Sequence, residues 1–514
     1  MNKKISNFLK TIFIVFLINF SQVIAATNTW EFDLSTDYTL SNTPSFNFAS
    51  SIASLKKNIL LHVWSSTSAT TLNWAYDLVV EWNYAYITNY VDNSFSIYNV
   101  SNPASPTFVS EIVNNGWTIR LAWPTWLVKN WNYVYVASNT SDALQIIDVT
   151  NPAIPTAAGQ VVDATNLNWI RWLAIFWNYL YTTNDQRDSL RIFDITNPVA
   201  PVVTGTIRNT TSLNWARWIK IVWNYAYIAW YDWDRFTSVD ISNPAAPVVA
   251  GSITDATNLN WAWDVEIVWN YAYVSANQNN SIRIINITTP TAPTAVWNIS
   301  WWSYTLTTPR DLLAVWNNLY MTSFWWNTIN VADISNPAAP TYVTKYVHNV
   351  ANPLLSWAYG LFNLWDYIYI TSQTWDSLEI MKISYDNTSP SIIPNTWFII
   401  GSDYLTSLSN ILWWWNTWSI SYQISKDNWT TWYYWNWSSW VTTVLWVTNS
   451  NSLSVINTNI DDFNLIAWTW TFKFKAFLTS NWDQAVELDS FTINTTPAPS
   501  PGWVSTNMAL WFKS

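Results

Sequence analysis

Residues 173–183 read Leu173-Ala174-Ile175-Phe176-Trp177-Asn178-Tyr179-Leu180-Tyr181-Thr182-Thr183. Two short apolar runs flank the dipeptide Trp177-Asn178, and the reading of that dipeptide decides the fold. A two-residue loop between antiparallel strands needs positive φ at its first position, which glycine adopts without steric cost. With Trp177 read as Gly, Leu173 to Phe176 and Tyr179 to Thr183 form a tight β-hairpin. Ser189 to Ile195 alternates as a third strand. Asn197-Pro198 to Pro201 is a turn, because Pro breaks strand pairing, and Val202 to Ile207 is a fourth strand.

The unit recurs along the chain. Its anchor, of Trp-Asn-Tyr-x-Tyr type, has Trp at 82, 131, 177, 223, 269, 316 and 365, spaced by 46 to 49 residues. The residue four positions later is always Tyr: Tyr86, Tyr135, Tyr181, Tyr227, Tyr273, Tyr320 and Tyr369. Asn-Pro-x-x-Pro trails the anchor at Asn102, Asn151, Asn197, Asn243 and Asn336; Thr289 varies it, and the seventh copy lacks it. Four short strands per repeat of this length make a propeller blade. Seven copies predict an all-β chain with a seven-bladed β-propeller over residues 59–385. The seventh copy leaves at Asp386 without a fourth strand, and Ile59 to Val63 precedes the first copy where a fourth strand belongs. That strand is expected to complete the last blade and remove an open sheet edge.

Composition supports reading Trp as Gly beyond the anchors. The chain has 44 Trp and 7 Gly, where a chain of this length ordinarily has about 36 Gly. The letters sit in turn dipeptides such as Asn130-Trp131 and Asp232-Trp233. In the repeats one column holds Gly159, Gly205, Gly251 and then Trp297; another holds Trp126, Trp172, Trp218 and then Gly360. A gene whose UGA codons mean glycine, translated with a table in which UGA means tryptophan, gives this pattern. Seven non-glycine anchor turns would cost on the order of 7–14 kcal/mol, comparable to a whole domain's stability of about 5–15 kcal/mol. Trp432, Trp440 and Trp511 sit in aromatic positions and read as genuine. The competing reading is a real Trp-rich surface, on which indoles would stack on sugars.

With that substitution the units resemble LVIVD repeats. The matching pieces are the anchor, then Leu144-Gln145-Ile146-Ile147-Asp148-Val149, then Thr150-Asn151-Pro152 to Pro155. The resemblance covers residues 59–385 and implies a β-propeller of the bacterial or archaeal cell surface. It supplies no catalytic residues.

The remaining composition bounds the function. The chain has no Cys, so it has neither disulfides nor thiolate sites, and its two His, His62 and His348, lie far apart. No metal site or cofactor is expected. A net charge of −10 argues against a nucleic-acid partner. Lys3 and Lys4, the apolar run Phe8 to Phe20 and Val23-Ile24-Ala25 read as a signal peptide over residues 1–25. The alternative is an uncleaved anchor, for which the run is short. No later segment is long enough to span a membrane as a helix. Localisation is therefore expected to be extracellular or at the cell surface.

Residues 26–58 are a polar lead-in without assignment, and residues 386–394 read as a linker. Residues 395–495 read as a β-sandwich-like domain, and 496–514 as a linker and the start of a truncated further domain. Ser425 to Trp432 resembles an Asp-box, usually a structural hairpin, with sugar or ion binding as its other use.

Candidate site residues lie five and six positions before each anchor, at the start of the innermost strand: Tyr76, Asp77, Arg171, Arg217, Asp264, Arg310, Asp311 and Tyr359. There they either hold a sugar, peptide or ion at the channel mouth, or neutralise one another as Arg–Asp pairs. The anchors Trp82, Trp131, Trp177, Trp223, Trp269, Trp316 and Trp365 are structural turn positions. Asp148, Asp194, Asp240 and Asp333 precede the Asn-Pro turns and are expected to cap them. Asp185, Gln186 and Asp188 share a loop but lack a calcium pattern. No nucleophile elbow, phosphate loop or His pair is present. The expectation is a non-enzymatic scaffold for binding, adhesion or display, with a protein or glycan partner. The alternative is a secreted carbohydrate-active propeller, a glycosidase or lyase.

Overall fold

A computed structural model describes residues 57–385, save 185–187, 212, 214, 232–233, 301–305, 348–354 and 356, together with strands and helices between 26 and 55 and between 391 and 496. The proposed signal peptide, the Asp-box interior, Asp185, Gln186, His348 and residues 497–514 lie outside the described residues. The chain divides into two compact units: Asn58–Ser384, and Met1–Lys57 with Tyr385–Ser514.

The first unit holds seven four-stranded antiparallel sheets. Blade 3 shows the pattern: Ile170–Phe176, Tyr179–Asn184, Ser189–Asp194 and Val202–Arg208. The innermost strands of neighbouring blades touch in order from blade 1 to blade 7, and blade 7 touches blade 1. The ring is a closed seven-bladed β-propeller. Its last sheet pairs Ala358–Leu364, Tyr367–Ser372 and Ser377–Tyr385 with Lys57–Thr67 from the other end of the unit. The expected closing strand is therefore present, and longer than Ile59 to Val63. Ser65 Oγ, on that strand, donates to Glu379 Oε2 at 2.8 Å, and His62 Nε2 lies 2.6 Å from Glu379 Oε1.

Packing follows from strand periodicity. The middle strands are buried on both faces, so Tyr135, Tyr181, Tyr273, Tyr320 and Tyr369 of the anchor column are almost wholly enclosed. Fourth strands are largely exposed, as in Val202–Arg208. The turn-capping expectation holds: the backbone N–H groups of Thr150, Thr196, Ser242 and Ser335 donate to Asp148, Asp194, Asp240 and Asp333 at 2.7–2.9 Å.

The second unit is strand-rich but departs from an all-β sandwich. Leu453–Thr458 and Ile460–Ile466 are short α-helices, the first capped by Ser452, whose side chain accepts the Val455 N–H. Ile456, Ile460 and Phe463 are buried at helical spacing in one cluster with the sheet residues Phe472, Phe474 and Phe491. The unassigned lead-in belongs to this unit: Ala26–Glu31 pairs Ser490–Thr496, and Tyr38–Leu40 pairs Ser391–Pro394. Ser391–Pro394, expected within a linker, is a strand because its partners are remote in sequence. Pro394 sits at the strand's end, where a missing N–H is tolerated.

Candidate functional site

In an antiparallel blade, the start of strand one and the turn between strands two and three lie on the same face. The anchor hairpins and Asn-Pro turns lie on the opposite face. The candidate residues therefore gather at the first face, around the axis where the seven innermost strands meet.

Three sets of contacts fix them there. Within each innermost strand a register shift lies beside the candidate positions, as between Ala262 and Val265. Hydroxyls on second strands clamp the next blade's backbone: Thr371 donates to Tyr76 O at 3.0 Å, Thr183 to Arg217 O at 2.6 Å and Ser275 to Arg310 O at 3.0 Å. The third set is an Asx column eleven residues after each anchor: Asn93, Asp142, Asp188, Asp234, Asn280, Asn327 and Asp376. All seven have positive φ. Their side chains accept N–H groups from the entrance of the next blade's innermost strand: Trp123 to Asn93 at 2.8 Å, Trp215 to Asp188 at 3.1 Å, Thr308 to Asn280 at 2.7 Å and Trp74 to Asp376 at 2.9 Å. Sequence reasoning missed this column, although its invariable Asp/Asn at fixed spacing was legible.

The arginines and aspartates sort into separate environments. The Asp77 carboxylate accepts the Leu127 N–H at 2.9 Å from the next blade. Asp264 accepts from Val265 and Leu312, both at 2.7 Å, and Asp311 from Leu312 and Leu361. The bonds from Leu127 to Asp77, from Leu312 to Asp264 and from Leu361 to Asp311 are blade-to-blade staples. Burial pushes Asp77 up to about 7 and Asp264 to about 6. Asp311 is held well above the usual carboxylate range, by burial and by the Asp264 carboxyl with which it shares a hydrogen bond. The cation acting most strongly on Asp77 and Asp264 is Lys220, which is ion-paired to Glu266 at 2.8 Å. The glutamate raises the lysine's own proton affinity.

The arginines bear instead on the two tyrosines. Tyr76 and Tyr359 share a hydroxyl–hydroxyl hydrogen bond of 2.7 Å across the ring closure. Burial raises both, opposed by Arg171 and Arg310 at each. The Arg217 guanidinium sits 3.7 Å from the Tyr231 ring centre, and that of Arg310 lies 3.6 Å from Trp263 and 4.3 Å from Phe324. Indoles fill the axis between them: Trp172 and Trp218 are 4.2 Å apart, and Trp126 is 5.4 Å from Trp218. Among the described residues, no group of three or more His, Cys, Asp or Glu is placed to hold a metal ion.

The seven anchor residues all have positive φ, from 51° to 56°. No Asn or Asp following them does, which is the pattern of a II′ turn, with glycine at its first position. Trp74, Trp123, Trp169, Trp215, Trp261 and Trp357 at the strand entrances also have positive φ. In the column shared by Gly205 and Trp297, a Cβ on Gly205 would lie 2.0 Å from Pro244 O. Ser110 meets that approach in blade 1 by donating to Pro152 O at 2.6 Å.

Six stretches of the chain match the LVIVD repeat: residues 74–113, 130–163, 172–209, 215–255, 261–300 and 314–347. No curated protein matches. Similar solved structures include a protein from Lactobacillus plantarum (13% identity, TM-score 0.47, covering 53% of this chain and 84% of that one). Virginiamycin B lyase from Staphylococcus aureus is similar at 12% identity and TM-score 0.48, covering 63% and 99%. BamB from Moraxella catarrhalis is similar at 9% identity and TM-score 0.41, covering 70% and 100%.

Proposed function

We propose that this chain, which carries LVIVD repeats across residues 74–347, is an exported binding and display scaffold that engages a protein or glycan through the face bearing Tyr76, Tyr359 and the three arginines. The observation that carries the reading is the sorting of charge. Asp77, Asp264 and Asp311 are engaged by backbone amides between blades, while Arg171, Arg217 and Arg310 gather with aromatic rings at the axis. Export is supported by Lys3, Lys4 and the apolar run after them. Among the described residues no helix is long and apolar enough to cross a membrane.

The carbohydrate-active alternative needs two carboxylates about 5–9.5 Å apart on either side of a scissile bond. Asp264 and Asp311 are in direct hydrogen-bond contact and spend their oxygens on amides, which favours the scaffold reading. The test is purified protein offered to polysaccharides and to envelope preparations. Retention without product supports the scaffold; turnover overturns it.

The same reading takes most Trp letters as glycine. Thirteen positive-φ Trp positions at anchors and strand entrances support it. Peptide masses at Trp177, Trp223 and Trp269 from the native organism test it.

A further inference from the structure

We propose that the axial end of the propeller is a binding site for a carboxylate group, opened by glycine at positions 126, 172 and 218. The proposal rests on the scaffold reading and on glycine at those three positions.

Six residues before the anchors, the ring of seven strands presents Arg171, Arg217 and Arg310 and no acid. One position later come Asp77, Asp264 and Asp311, each of which commits its Oδ2 to an amide of the adjoining blade. The strongest cation beside Asp77 and Asp264 is Lys220. A cationic level at the face is thus stacked on a level of buried carboxyl groups that are already engaged.

The guanidinium groups are held in advance. The blade-to-blade hydroxyl clamps fix the backbone of Arg217 and Arg310. Aromatic faces that do not depend on the recoding support their planes: Tyr231 for Arg217 and Phe324 for Arg310. The Nε of Arg310 is buried with no hydrogen-bond partner among the described residues. A planar guanidinium fork matches a carboxylate bidentately, and pre-organisation lowers the entropy lost on binding.

Room is the remaining requirement. Trp126, Trp172 and Trp218 occupy the axis, in the column where blade 7 has Gly360. Hydrogen in place of three indoles leaves a space walled by Tyr76, Tyr359 and the arginines. The two tyrosine hydroxyls, now bonded to each other, supply a further donor to an anion.

The experiment uses two full-length proteins from synthetic genes. Both have glycine at the positive-φ Trp positions; one has glycine at 126, 172 and 218, and the other keeps Trp there. Each is titrated calorimetrically with citrate, trigalacturonate and neutral maltotriose. The glycine form is expected to bind both carboxylates and not maltotriose, and Arg310→Ala to weaken binding at least about tenfold. Tighter trigalacturonate than citrate assigns the site to an acidic glycan; equal affinity assigns it to a free carboxylate. The Trp-filled form is expected to bind neither. A glycine form with a cooperative thermal transition that binds no carboxylate, or binds equally with Arg310→Ala, overturns the site. Trp masses at 126, 172 and 218 in the native protein would instead remove the recoding beneath it, whatever the titration shows.

Discussion

Asp376 Oδ1 accepts the backbone N–H of Trp74 at 2.9 Å, tying a turn of the last blade to the entrance of the first blade's innermost strand. Residues 302 positions apart in sequence thus repeat a contact that Asp188 and Trp215 make between consecutive blades. The closing contact differs in one respect. Lys57–Thr67 is the outer strand of the last blade and leads directly into the first, whereas Asp376 lies on the part of that blade contributed from the other end of the unit, so strand pairing and contacts such as this one hold the two parts in register. Asp376→Ala is expected to cost about 1–2 kcal/mol, lowering the propeller's thermal midpoint by about 2–4 °C. Asp376→Asn keeps the acceptor and is expected to stay close to the parent. Calorimetry of the three proteins checks this; equal loss in both variants would show that charge, not the acceptor, matters.

The anchor turns make a prediction of opposite sign. A residue with a side chain in the left-handed region pays roughly 1–2 kcal/mol. In protein made with Trp at the anchors, the combined change Trp177→Gly, Trp223→Gly and Trp269→Gly is expected to raise stability by about 3–6 kcal/mol. Denaturant unfolding measures it. The exposed indoles make few contacts to lose, since all three are more than three-quarters exposed. No gain would mean that the turns relax to accept tryptophan.

The repeat architecture was legible because each blade restates it. The spacing of Trp82 to Trp365, the Tyr column and the Asn-Pro turns are local signals sampled seven times, and the closing strand followed from a missing fourth strand. The fold of the second unit was less legible. Its strands pair across hundreds of residues, as Ala26 does with Thr495, and nothing local announces such partners. The helical turn at Leu453–Ile466 was hidden in a Ser- and Asn-rich stretch whose β-branched residues suggest strand. At the site, the residues were found but not their division. Adjacent positions such as Arg310 and Asp311 look like partners in sequence, and only the staple from Asp311 to the Leu361 amide separates their roles.

Stability should fall as pH rises through the acidic range. Asp77 is pushed by burial to about 7 in the folded chain, above its value of about 3.9 when unfolded. The folded state therefore binds the proton more tightly. The associated stability is fully present below about pH 4 and is lost as pH rises towards 7. Asp264 acts in the same direction, up to about 6. Asp77→Asn keeps an acceptor for the Leu127 N–H and cannot ionise. It is expected to flatten the slope of unfolding free energy between pH 4 and 7. An unchanged slope would place the titration on Asp264, Asp311 or Glu379 instead, the last of which burial also raises to about 7.

Tryptophan in this chain is expected to divide into two classes that respond oppositely to the same substitution. Trp440 is buried, packs on Phe463 with ring centres 4.9 Å apart, and donates its Nε1–H to Asn459 O at 2.8 Å. That carbonyl lies between the two helices of the second unit, so the indole both fills the core and satisfies the junction. Its backbone is not in the left-handed region, unlike Trp437 three residues earlier, at φ 73°. Trp440→Gly should cost at least about 3–5 kcal/mol from lost burial and an open cavity, whereas Trp437→Gly should stabilise by about 1 kcal/mol. Denaturant unfolding of the two single variants decides it. Destabilisation by both would mean that Trp437 packs in a way its exposed position does not reveal, and the backbone criterion for separating the two classes would fail at the first site where they sit side by side.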